Sequence, residues 1–140
     1  NGDCCRMRFL TILRKFMTSR QLQQGDIVLV PFPFSDLSSI KTRPALVLSN
    51  KTLKGQDVIL CAITSRAGSP HEVRLSTGDL SKGALPVESF IRFNKVVSLD
   101  KHIIRRTVGC VSKNKLLEVV KNVESILRVK TSTQQKKKFI

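Results

Sequence analysis

Three side chains in this sequence have the types to engage a phosphate from the ends of two strands: Arg43, Thr64 and Ser65. The guanidinium of Arg43 is a planar fork of N–H donors suited to phosphate oxygens, and the two hydroxyls can add donors of their own. Pro44 fixes its own φ, offers no N–H and pushes Arg43 towards an extended conformation. The guanidinium is therefore expected at the rim of a sheet rather than inside its ladder. Thr64 and Ser65 end the run Asp57-Val58-Ile59-Leu60-Cys61-Ala62-Ile63, which reads as a strand. If the strands that carry these groups pair antiparallel, the two ends lie side by side. Two plainer uses stay open: an ion pair of Arg43 with Asp26 or Asp36, and an ordinary strand-end role for Thr64.

The formal charge of the 140-residue chain is +15. Residues 1–20 carry a net +4 (Arg6, Arg8, Arg14, Lys15 and Arg20 against Asp3), residues 129–140 another +4 through four lysines, and the middle keeps +7. A domain of that sign attracts polyanions, nucleic acid above all, with salt-sensitive affinity, although a protein can be merely basic and soluble. Trp and Tyr are absent, so ring stacking falls to Phe alone. Cys4 and Cys5 are adjacent, Cys61 lies in an apolar run and Cys110 follows Gly109, a pattern with no metal-ligand, redox or disulfide-framework spacing. No metal and no cofactor are expected, and the pattern fits a reducing cytoplasm. Cys61 and Cys110 read as small core residues, since no His stands beside either.

The elements that must position these groups follow in order. Residues 1–20 form a basic extension in which 6–17 could be a short amphipathic helix, too short and too charged to span a membrane. Residues 1–16, ahead of Met17, read as a leader or an added extension. The organising stretch is strand, loop, strand: Ile27-Val28-Leu29-Val30, a turn-rich 31–41, then Thr42 to Asn50. Asp57–Ile63 is the third strand and His71–Leu75, alternating polar and apolar, a half-exposed fourth. Residues 78–86 read as turn, with Asp79 capping a brief helical turn. Residues 87–97 hold a fifth and a sixth strand, 98–101 a turn, and 103–111 a last strand. Arg92 falls on the face opposite Ile91 and Phe93, where it would line one basic surface with Arg66 and Arg74. Ser112 is an N-cap for a helix whose Leu116, Leu117, Val120, Val123 and Leu127 recur at helical spacing, with Glu124 and Arg128 as an i,i+4 pair. Residues 129–140 are a basic, flexible tail. Short strands closed by one helix describe a mainly β, small barrel over residues 21–128. No Gly-rich loop precedes a helix, which disfavours a nucleotide-binding α/β fold.

Three stretches taken together, Gly25-Asp26-Ile27-Val28-Leu29-Val30-Pro31-Phe32-Pro33-Phe34-Ser35-Asp36-Leu37, Thr42-Arg43-Pro44-Ala45-Leu46-Val47-Leu48-Ser49 and Ala62-Ile63-Thr64-Ser65-Arg66, resemble the PemK/MazF family of toxins in bacterial toxin–antitoxin systems. The resemblance implies an SH3-like barrel, a homodimer, and metal-independent cleavage of single-stranded RNA to a 2′,3′-cyclic phosphate and a 5′-hydroxyl. By motif position, Arg43 and Thr64 are then the central catalytic pair and Ser65 a neighbouring candidate. Lys41, Thr42, Arg66, His71, Arg74, Arg92 and Phe34 become RNA-binding candidates, and an acidic antitoxin segment the protein partner. Some members carry a His directly before that arginine; Thr42 stands there in this chain, so no imidazole acts from that position. His71 is a candidate proton carrier or a solvent-facing structural residue, and Phe32 and Phe34 are loop anchors or stacking platforms. Two rival functions keep the same fold: a CcdB-like poison of DNA gyrase that cuts no RNA, and a non-catalytic RNA-binding module.

Overall fold

The structure, a computed structural model, describes residues 22–31 and 41–130. The expected helix over 6–17, the segment 32–40 with Phe32, Phe34 and Asp36, and the lysine-rich stretch after residue 130 lie outside the described residues. Strands β1 (Asp26–Pro31), β2 (Thr42–Val47) and β3 (Asp57–Thr64) form where the β-branched apolar runs predict them. With β4 (Glu72–Leu75), β5 (Leu80–Gly83), β6 (Ser89–Asp100) and β7 (Arg106–Val111) they make one seven-stranded antiparallel sheet in the order β4-β6-β3-β2-β1-β7-β5. Helix α1 (Lys113–Leu127) follows, capped at Ser112, whose hydroxyl accepts from the Lys115 amide at 3.2 Å. The architecture is the expected one: mainly β, a curled half-barrel with a C-terminal helix.

Alternation along the strands sorts the apolar side chains into two cores. Ile27, Leu46, Cys61, Ile63, Val73 and Ile91 share one face with Val119 of α1, flanked by Leu116 and Val123. Val28, Val30, Ala45, Val47 and Leu60 belong to the other face, joined by Ala62 and Ile104. Burying each such Val, Leu or Ile contributes about 1.5–3 kcal/mol. Slipping a central strand by one residue would exchange the two sets, so burial holds the register that the site depends on.

Several local expectations change. Ser89–Asp100 is one strand, not two strands and a turn. Its register against β3 jumps from Cys61–Val96 to Ala62–Arg92, so residues 93–95 bulge and the strand bends without breaking. The turn comes afterwards, at Lys101–Ile103. Leu80–Gly83 is an edge strand where turn residues predominate; it pairs Leu80 with Val111 and Gly83 with Gly109. Gly83 permits that approach at φ +79°, since a β-carbon would strike the Val108 carbonyl oxygen and come within 2.6 Å of Gly109 Cα. The helical turn Thr77–Asp79 starts at Ser76, whose amide and hydroxyl both donate to the Asp79 carboxylate at 2.9 and 3.1 Å. On α1 the buried face centres on Val119, while Leu117 and Leu127 are 54% and 72% exposed. Leu117 lies about 100° round the helix from Leu116, which turns it away from the sheet. Arg128 has already left helical geometry as the C-cap, and it makes no ion pair with Glu124. Among the described residues no helix is long and apolar enough to cross a membrane.

Candidate active site at the rim of the sheet

Arg43 lies opposite Val30 of β1. The β2–β3 register pairs Ala45 with Ala62, and two further steps set Arg43 opposite Thr64. Thr64 is opposite Phe90 of β6, and Phe90 is opposite Arg74 of β4. Directly opposed residues share a face, so one row crosses the sheet: Arg74, Phe90, Thr64, Arg43, Val30. Val30 belongs to the second core, which puts the row on the face away from α1. The antiparallel pairing therefore brings the guanidinium and the hydroxyl together at one rim, although they are distant in sequence.

Arg43 is half-buried, and its Nε is shut off from solvent without a hydrogen-bond partner. Asp26, the suggested counter-ion, stands at the far end of β1, roughly 13 Å along the strand from Val30 at about 3.3 Å per residue. Asp26 instead accepts from the Gln23 amide at 3.0 Å. Asp36 lies outside the described residues. Among the described residues no carboxylate forms an ion pair with Arg43. A buried donor left unpaired costs about 1–3 kcal/mol, a cost that Arg43 shares with Arg92.

Thr64 opens a short loop whose shape is fixed by partners on two other strands. Its Oγ1 accepts from the Arg66 amide at 3.2 Å, which leaves its O–H free to donate outward. Glu72 of β4 accepts from the Ser69 and Gly68 amides at 3.1 and 3.3 Å. Arg92 of β6, opposite Glu72, donates through Nη2 to the Arg66 carbonyl at 2.7 Å and holds Nε 3.3 Å from the Glu72 carboxylate. That last contact is an ion pair without hydrogen-bond alignment, since Nε itself has no partner by geometry. Arg92 thus braces the loop that carries Thr64, Ser65 and Arg66, and it is not an open cation for RNA.

The other sequence candidates divide. Arg74 is exposed but forms a close ion pair with Glu88. His71 has the strand parity of Val73, a first-core residue, and its ring meets the buried Phe93 edge-on at 5.8 Å and 89°. It therefore sits on the opposite face from Arg43. Thr42 also alternates to the helix face, Ser65 is exposed past the end of β3, Arg66 is exposed beyond it, and Lys41 is exposed just before β2. Phe34 lies outside the described residues. His102 bonds Asp100 through Nδ1 at 2.7 Å, and Asp100 is opposite Asp57, at the other end of β3 from Thr64. Burial pushes the Cys61 thiol up to about 12, which removes it as a nucleophile. Glu72 and the ring of Phe90 carried no local signal, because their place beside the rim depends on strand pairing.

A curled antiparallel half-barrel with a donor-bearing rim and a C-terminal helix defines the class: a MazF-like barrel. Residues 23–127 match the sequence family described as PemK-like, MazF-like toxin of type II toxin-antitoxin system, and the chain belongs to that family. Among solved structures, MazF of Deinococcus radiodurans is 30% identical with a TM-score of 0.60, covering 76% of this chain and 96% of that one. The MazE–MazF complex from the same organism gives 28% identity and 0.61, over 76% and 95% of the two chains. An endoribonuclease in complex with its cognate antitoxin from mycobacterial species reaches 0.62 at 16% identity, over 79% of this chain and 99% of that chain, a likeness of fold alone. The glycolate oxidase subunit GlcD of Escherichia coli (strain K12) is 29% identical over 103 residues, 70% of this chain. The chain spans about one fifth of the length of the curated relatives it matches, and a fifth of such a subunit carries no activity across.

Proposed function

We propose that this toxin cleaves single-stranded RNA without a metal, with Arg43 and Thr64 as its catalytic pair. One observation carries the reading: a half-buried rim arginine that pairs with no carboxylate among the described residues stands across from a strand-end hydroxyl. Attack of the RNA's own 2′-hydroxyl on the adjacent phosphorus forms a five-coordinate phosphorane with extra charge on its non-bridging oxygens. Loss of the 5′-oxygen as a hydroxyl leaves a 2′,3′-cyclic phosphate. The guanidinium fork of Arg43 and the O–H of Thr64 are fixed donors aimed at that charge, the arrangement that lowers such a barrier most. Ser65, next along the loop, adds a second hydroxyl. Neither histidine faces the pair, so proton transfer falls to the substrate's surroundings or to water rather than to His71. The family relationship and the endoribonuclease named among the fold neighbours support this reading over the gyrase poison and over a non-catalytic RNA-binding module.

The toxin acts in the cytoplasm as a homodimer and is neutralised by an acidic antitoxin segment laid over the basic rim, as the MazE–MazF relative suggests. Incubation of the purified chain with a long single-stranded RNA in EDTA tests the activity. Discrete fragments ending in 2′,3′-cyclic phosphate are expected. Intact RNA together with inhibited gyrase would move the protein to the rival class, and intact RNA that is nevertheless bound would make it the non-catalytic module.

A further inference from the structure

The two phenylalanines of β6 face opposite ways. Phe93 is buried in the first core, where the His71 ring meets it edge-on. Phe90 has the strand parity of Arg92 and stands on the other face, half-buried and a member of neither apolar core. Its place is fixed by pairing on both flanks, with Thr64 of β3 opposite it on one side and Arg74 of β4 on the other. Thr64 is therefore one strand spacing away, about 4.8 Å, and Arg43 follows one strand further along the same row. Trp and Tyr are absent from the chain, so among the described residues Phe90 supplies the one benzene ring on the face of Arg43 and Thr64. The cations around it are already engaged, Arg92 by Glu72 and Arg74 by Glu88. What this flank offers a nucleic acid is a ring and not a charge.

We infer that Phe90 is the stacking platform for a base that adjoins the scissile linkage, so that the Arg43–Thr64 pair takes the phosphate while the ring one strand away takes the base. The inference rests on the RNA-cleaving reading. In-line attack by the 2′-hydroxyl requires the nucleosides at the linkage to leave their helical stack, and a flat apolar surface within a nucleoside's reach of the phosphate holds a base that has been turned out. Every base has a π-face, so the platform serves any sequence and leaves sequence choice to other contacts. Because the ring carries no charge, its contribution is independent of counterion release, unlike that of a phosphate-binding cation.

The test uses the whole chain and two labelled strands titrated between 50 and 200 mM salt: a 20-nucleotide random-sequence RNA, non-cleavable through 2′-O-methyl substitution, and a sugar–phosphate strand of the same length that carries no bases. Phe90→Leu is expected to bind the base-bearing RNA about tenfold more weakly, the scale of one lost base stack, at an unchanged log–log salt slope. Phe90→Tyr, which keeps the ring, should stay within about twofold of the unaltered protein. All three proteins should bind the baseless strand alike. A leucine variant that holds the base-bearing RNA as tightly as the unaltered protein, or that loses as much on the baseless strand, would overturn the platform while leaving the cleavage reading intact. A leucine variant whose thermal melt shows it unfolded would do the same, since Phe90 would then be a packing residue. An unaltered protein that neither binds the base-bearing RNA nor cuts its all-ribose counterpart would instead bring down the cleavage reading itself.

Discussion

On the β4–β6 side of the sheet Arg92 faces Glu72, Arg74 faces Glu88, and Lys115 of α1 donates to the Arg74 carbonyl at 3.0 Å and to Glu118 at 3.1 Å. On the β2–β1–β7 side Arg43, Arg105 and Arg106 form no ion pairs among the described residues. The same residue type thus braces one side and stays available on the other. What decides is the neighbour on the adjacent strand: β4 supplies a carboxylate to Arg92, whereas β1 presents valine and leucine to its flanking arginines. Charge counted along a sequence overstates the surface open to a polyanion, because cross-strand carboxylates withdraw part of it.

The sharpest way to break this contrast is Arg43→Ala. We expect cleavage to fall by about 10²–10³-fold, the scale of about 3–4 kcal/mol seen when one transition-state donor is removed. Stability should hold or rise slightly, since the substitution deletes a buried donor that has no partner. Single-turnover kinetics beside a thermal melt checks both halves, and a large loss of stability would recast Arg43 as structural. Next in size comes Glu72→Gln on the braced side, where the opposite signature is expected. Loss of the Arg92 pair and of a charged acceptor for two loop amides should cost about 1–3 kcal/mol of stability. The turnover number should drop about tenfold at nearly unchanged KM, because the loop would no longer hold Thr64. Unaltered exchange protection of the Gly68 and Ser69 amides in this variant would dispose of the bracing role.

Periodicity and Pro44 made the first three strands legible, and with them the convergence of Arg43 and Thr64, since antiparallel neighbours with matched apolar faces have little freedom of register. Partnership was not legible: Glu72 and Arg92 are twenty positions apart, and nothing local in either segment announces the pair. Leu80–Gly83 was missed because an edge strand of Leu-Ser-Lys-Gly gets its order from β7 and not from its own propensity. The unity of Ser89–Asp100 was missed because a bulge breaks alternation without breaking pairing. Helical spacing found α1 and its core contacts Leu116 and Val123, but it added Leu117 and Leu127, which lie about 160° and about 80° round the helix from the buried Val119.

A smaller effect sharpens the same contrast at the foot of the braced side. The Asp79 carboxyl is held below its ordinary value of 3.8, first by the Ser76 amide, then by the Ser76 hydroxyl and by Lys115, whose Nζ is 3.7 Å away, while partial desolvation opposes them. A depressed folded value means that the carboxylate stabilises the fold above its unfolded value of about 3.9 and loses that contribution as pH falls through the folded one. Asp79→Asn should therefore be less stable than the unaltered chain at pH 7, and the difference should begin to narrow below about pH 4 and vanish once pH has fallen through the folded value. Urea denaturation at pH 7 and pH 3 measures the gap at both ends. A gap of equal size at the two pH values would show that Asp79 anchors the turn by shape alone and that its charge contributes nothing to bracing this side of the sheet.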